Sequence, residues 1–149
     1  MRLMRGFTLV ELMVTIAVLA IIATMAAPSF RNMIARQQLN STTHELKDLL
    51  TTARSQAVLL RTNTSVRLNS SNSNSATQLN WSPISGNQLI FPNGSSLTSI
   101  AFNTNGTVSS INSDTQLQIC NTQLAESEIL VLSKMGTISL LDNQAGACS

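Results

Sequence analysis

The sequence predicts an α+β fold in which one long N-terminal helix, about residues 7–61, packs its C-terminal half on antiparallel β-sheet. Three observations carry that expectation. Residues 7–27 are almost wholly apolar; Leu46, Leu49, Leu50, Ala53, Ala57 and Leu60 recur at steps of three and four; and short alternating runs separated by turn residues follow residue 62. A chain of 149 residues accommodates one head domain and the N-terminal segment, with little room for a second core.

The apolar segment comes first. Its 21 residues span roughly 32 Å as a helix, enough to cross a hydrocarbon core. Arg2 and Arg5 precede it and favour a cytoplasmic N-terminus with the remainder exported. A cleaved secretory signal would use Ala26-Ala27, but Pro28 would then follow the cut directly. A soluble core helix would show a polar face, which this segment lacks. A plain membrane anchor fits the length but leaves Glu11 unexplained, since an ionised carboxylate near the bilayer centre costs roughly 2.5–3.5 kcal/mol. Pro28 lacks an amide hydrogen and crowds the carbonyl four residues earlier, so a kink is expected near Thr24–Pro28. Helical periodicity resumes beyond it, which predicts continuation.

Leucine periodicity stops at Leu60, and Thr64–Leu68 alternates with a period of two. Further strand-like runs are Gln78–Trp81, Gln88–Phe91, Ser99–Phe102, Thr107–Ile111, Gln116–Cys120, Ile129–Leu132 and Thr137–Leu141. Asn93-Gly94, Asn105-Gly106 and Met135-Gly136 supply turn positions that tolerate positive φ. Between the first two runs, Asn69–Ser75 is low in complexity and reads as a mobile loop.

Charge is unevenly spread. Without residues 1–6 the chain is neutral, yet residues 31–67 carry six bases and two acids, and residues 68–149 carry only Lys134 against four acids. A uniformly basic, nucleic-acid-like surface is therefore not indicated. The two cysteines, Cys120 and Cys148, fit no common zinc spacing, and the one histidine, His44, offers little to complete a site. If the chain is exported, a disulfide is the favoured reading; it would close a loop of about 29 residues, worth about 3–4 kcal/mol in the chain-entropy model. Buried free thiols are the alternative for a cytosolic domain. No serine, cysteine or acidic cluster has a catalytic or metal-binding context, so no enzyme activity, metal or cofactor is expected.

Gly6-Phe7-Thr8-Leu9-Val10-Glu11, after a basic leader and before an apolar helix with Pro28 near its end, resembles the class III signal of type IV prepilins and pseudopilins. The stretches Ala53–Val58, Phe102–Thr107 and Ile129–Gly136 resemble segments of the GspH/FimT/FimU group within that family. The resemblance implies a leader, 1–6, removed by a prepilin peptidase that cuts between Gly6 and Phe7 and then methylates the Phe7 α-amino group. It implies a membrane and assembly half, 7–27, and a periplasmic head, 28–149. Glu11 would pair with the Phe7 α-ammonium of a neighbouring subunit, and Cys120–Cys148 would match the disulfide-closed end of pilins. The implied location is the bacterial inner membrane, single-pass with the head periplasmic, then a pilus or pseudopilus. The implied partners are the peptidase, other minor and major pilins or pseudopilins, and the assembly platform. The implied function is that of a FimU/FimT-like minor pilin, with a GspH-like pseudopilin of type II secretion as the alternative and a DNA-uptake pilin as a second one. DNA is not among the expected partners: DNA-binding members place arginines after the last turn glycine, whereas no arginine or lysine follows Gly136.

Overall fold

The computed structural model describes residues 7–92, 94 and 96–148. Helix α1 spans Leu9–Leu59. Its start is set by Thr8, whose Oγ1 accepts a hydrogen bond from Glu11 N at 3.2 Å while Leu12 N donates to Thr8 O. Its end follows from Arg61, which turns into the left-handed region at φ 49°, so the helical ladder stops after Leu60 N donates to Gln56 O. The helix thus lies two residues inside the expected bounds at each end.

The described residues divide into two compact units, one ending at Ile34 and one beginning at Ala35. Every described side chain from Phe7 to Ile34 is exposed. From Ala35 onward α1 acquires a buried face: Ala35, Leu39, Thr42, Thr43, Leu46, Leu50, Ala53 and Ala57, at the spacing of one helical stripe. Thr42 and Thr43 sit in that stripe because their hydroxyls donate to Gln38 O and Leu39 O, so neither hydroxyl is buried unpaired.

Seven strands follow: β1 (Thr64–Leu68), β2 (Gln78–Trp81), β3 (Asn87–Ile90), β4 (Ser99–Phe102), β5 (Thr115–Asn121), β6 (Glu126–Leu132) and β7 (Ile138–Ala147). They form two sheets, ordered β2-β1-β4 and β3-β5-β6-β7. All pairings are antiparallel except β1 with β2, which runs parallel. Alternation in sequence carries no strand direction, so that exception was not readable from pattern alone. The run Thr107–Ile111 forms no strand; it makes a single bridge, Val108 to Phe102, and Ser109 N donates to Ala101 O, which covers the outer edge of β4.

The polar segment after β1 is not a free loop. Asn74 Oδ1 accepts from Asn80 N at 2.7 Å, Asn80 Nδ2 donates to Ser73 O, and Ser70 Oγ donates to Asn80 Oδ1. One asparagine of β2 therefore holds the loop against its own strand edge, where unpaired main-chain groups would otherwise face outward. The core lies between the stripe on α1 and both sheets: Leu46, Leu50 and Ala53 meet Val66, Trp81, Ile100, Phe102, Leu117, Ile119, Leu130 and Leu132.

Candidate functional site

The N-terminal segment carries the sequence-predicted site. Gly6 and the leader lie outside the described residues. Phe7 precedes the helix and is exposed. Thr8 and Glu11 stand at the N-cap and third helical positions, the Thr-x-x-Glu spacing of a capping box, and this puts the carboxylate in the first turn, where the helix dipole favours negative charge. The other polar residues of the apolar stretch are internally satisfied: Thr15 Oγ1 donates to Leu12 O at 2.8 Å and Thr24 Oγ1 to Ile21 O at 2.7 Å. Neither hydroxyl then opposes an apolar environment. Among the described residues no single helix is long and apolar enough to cross a membrane; Leu9–Met25 and Ala27–Leu59 meet that test only together, as a bent pair. Pro28 lies inside α1 just after the break.

The head is organised by groups that sequence pattern did not disclose. Arg54, on the flank of the buried stripe, reaches two turns at once: Nε donates to Gly106 O at 3.1 Å and an Nη donates to Met135 O at 3.2 Å. The turns approach closely because both hold glycine at positive φ, 80° at Gly106 and 82° at Gly136. A Cβ on Gly136 would lie 2.1 Å from Gly106 O and 2.9 Å from Arg54 Nε. A second group ties α1 to β3 and β5: Asn87 Nδ2 donates to Thr42 Oγ1 at 2.7 Å and to Gln38 O at 3.2 Å, while Asn121 Nδ2 donates to Asn87 Oδ1 at 2.7 Å. Asn121 Oδ1 in turn accepts from Gln123 N and Leu124 N, fixing the turn into β6.

At the start of the head, Arg36 grips Glu126 through two bonds, Nε to Oε2 at 3.1 Å and an Nη to Oε1 at 2.7 Å. This hydrogen bond and the carboxylate charge hold the guanidinium pKa above its ordinary value. Cys148 lies beside the same strand end and forms the disulfide with Cys120, Cα–Cα 5.6 Å, closing β6 and β7 into one covalent loop. His44 is exposed on α1. Among the described residues no three His, Cys, Asp or Glu side chains come together as a metal site.

The N-cap at Thr8 carries a local signal, the Thr-x-x-Glu spacing of Thr8 and Glu11. Arg36, Arg54 and Asn87 had no such local signal, because they act on residues 45 to 90 positions away in sequence, and the bond from Asn121 to Asn87 spans 34.

Residues 1–27 match the family model described as the prokaryotic N-terminal methylation motif. The type IV major fimbrial protein FimA of Dichelobacter nodosus is 41% identical over 49 residues, 33% of this chain and 31% of that protein. A fimbrial protein of Pseudomonas aeruginosa is 38% identical over 55 residues, 37% of this chain and 36% of that protein. The chain thus spans about a third of the length of these curated relatives. The crystal structure of the type IV minor pilin FimU from Pseudomonas aeruginosa PAO1, in space group P21, matches with a TM-score of 0.58 at 21% identity, over 76% of this chain and 97% of that one. The N-terminal segment is thus similar to those of type IV fimbrial proteins, and the fold is that of the FimU pilin. A second FimU crystal form, in space group P65, gives a TM-score of 0.55 at 20% identity, over 74% and 100% of the two chains. The chain therefore joins an N-terminal segment similar in sequence to fimbrial subunits with a FimU-like fold.

Proposed function

We propose that the chain is a minor pilin of the FimU/FimT kind, a subunit that works by being added to a bacterial type IV pilus. The observation that carries this reading is the continuity of a matched methylation motif with a head of the FimU fold. In this reading residues 7–27 hold the chain in the inner membrane, with the N-terminus cytoplasmic and the head periplasmic. A prepilin peptidase cuts after Gly6 and methylates Phe7. The glycine lets an extended backbone enter the peptidase cleft without steric conflict.

Cleavage creates an α-ammonium at the new N-terminus, and Glu11 pairs with that group on a neighbouring subunit. A carboxylate in hydrocarbon is costly alone and attractive when paired, so docking in the correct axial register is favoured over any other. The head then meets other minor and major pilins and primes assembly or occupies the tip. Closure of the C-terminal region by Cys120–Cys148 favours a pilus over a type II secretion pseudopilus.

Deleting the gene and assaying twitching beside exoprotein release tests the reading. Loss of piliation or twitching with normal secretion is expected. Lost secretion with intact surface pili would transfer the chain to the GspH-like pseudopilins.

A further inference from the structure

Insertion of residues 7–27 in a membrane accounts for their exposed apolar side chains but leaves three others unexplained. Phe30, Met33 and Ile34 lie beyond Pro28 and are exposed at 64%, 66% and 53%. They stand at i, i+3 and i+4 on α1, so they share one face of the helix. Ser29, Arg31 and Asn32 occupy the positions between and beside them and are exposed as well. Apolar exposure then stops: from Arg36 to Asp48 every exposed side chain of α1 is polar.

Helix length fixes the depth of this face. Residues 7–27 rise roughly 32 Å, against about 30 Å of hydrocarbon and about 40–45 Å for the whole bilayer. With the core filled by that segment, the seven residues from Pro28 to Ile34 add about 10 Å of helix and pass through the headgroup layer. Aromatic and aliphatic side chains beside a cation suit that layer, where one face meets the acyl boundary and the flank meets charge.

Charge points to the counterpart. No aspartate or glutamate occurs between Glu11 and Glu45. The one ion pair among the described residues joins Arg36 to Glu126, so Arg31 has no carboxylate of its own chain. Its level is that of the lipid phosphates. Arginine suits them: an apolar stem lies along the boundary while a planar fork of donors matches phosphate oxygens.

We infer that Phe30, Met33 and Ile34, with Arg31 on their flank, form a seat for anionic phospholipid headgroups on the head side of the membrane in the unassembled subunit. The inference rests on the reading above that residues 7–27 cross the membrane. It adds a second, interfacial contact beyond the span, with a stated lipid chemistry.

The test uses the full chain in vesicles of three parts phosphatidylethanolamine to one part phosphatidylglycerol. Leu19→Cys, Met33→Cys and Ser41→Cys each carry a nitroxide in separate chains, with Cys120–Cys148 kept oxidised. Collision with oxygen and with a water-soluble nickel chelate then reads depth. Leu19 should be closed to nickel, Ser41 open, and Met33 between them. Arg31→Ala should raise nickel access at Met33 by about fivefold, the weight of one cation at an anionic surface, and exchange of phosphatidylglycerol for phosphatidylcholine should do the same. Arg31→Lys should keep most of the protection. Met33 as open as Ser41, as closed as Leu19, or indifferent to both Arg31→Ala and the lipid exchange would overturn the inference and leave the membrane span standing. Protection at Met33 that disappears on dilution into excess lipid would overturn it too, by assigning the face to a second copy. Nickel access at Leu19 equal to that at Ser41 would remove the span and the inference together.

Discussion

Replacing Gly136 by alanine should unsettle the head far more than replacing Gly94. Both glycines have positive φ, 82° and 69°, so each alanine incurs left-handed strain of about 1–2 kcal/mol. At Gly94 nothing lies within 4 Å of the new Cβ, and strain is the whole effect. At Gly136 the new carbon would stand 2.1 Å from Gly106 O, a contact that no rotamer relieves because the backbone fixes the Cβ and Gly106 O belongs to backbone. The two turns must part, and with them go the bonds from Arg54 to Gly106 O and Met135 O. Each joins a charged donor to a carbonyl but is partly solvated, so about 1 kcal/mol apiece is a reasonable scale. The total for Gly136→Ala is then about 3–4 kcal/mol, against about 1–2 for Gly94→Ala. For a head of this size that corresponds to a fall in Tm of about 10–15 °C against about 5 °C. Trp81 is the sole tryptophan and is buried in the head core, so its fluorescence in the full chain in detergent reports head unfolding without interference from the stalk. Equal shifts for the two variants would refute the close-approach argument.

Asn87→Ala leaves Thr42 and Asn121 with buried polar groups lacking their partner, and the Trp81 melt should show a loss of about 2–4 kcal/mol. The conservative change Asn87→Asp is expected to destabilise as well, because an acceptor would then face the Thr42 and Gln38 oxygens. Reduction of Cys120–Cys148, or Cys148→Ser, should cost about 3–4 kcal/mol in the same assay, with the full-length fold retained at low temperature. Asn80→Ala removes the side-chain bonds to Ser70 Oγ and Ser73 O but keeps the one from Asn80 N to Asn74 Oδ1, so amide exchange at residues 70–74 should be faster than in the wild type while residues 64–68 are unchanged. Glu11→Ala should be cleaved after Gly6 at the normal rate, as seen by gel mobility, yet be depleted from sheared filaments.

Much of this architecture could be read from residues that act locally. Leu46, Leu50, Ala53 and Ala57 announced the buried face of α1 because burial on a helix repeats with its turn, and they are all fully buried. Leu60 extended that pattern on paper but is exposed, since the helix unwinds at Arg61 before Leu60 can face the core. Seven of the eight alternating runs became strands, and Gly106 and Gly136 took the positive φ their turns require. What stayed hidden depends on pairing across distance. The parallel partnership of β1 with β2, the clamp from Arg54 to two turns, and the Thr42–Asn87–Asn121 network each join elements whose sequences contain no trace of one another. Asn69–Ser75 misled for a different reason: composition rich in serine and asparagine marks the absence of a core, but those same side chains bond well to a strand edge.

We propose that Glu11 serves assembly through a partner created by cleavage. Intact-mass and N-terminal analysis of the chain recovered from sheared pili, in cells carrying either wild-type protein or Glu11→Ala, tests it most directly. Wild-type chains should begin at a methylated Phe7, and Glu11→Ala chains should be likewise processed but remain in the membrane fraction. Pili containing processed Glu11→Ala at the wild-type level, or containing chains that still begin at Met1, would contradict it.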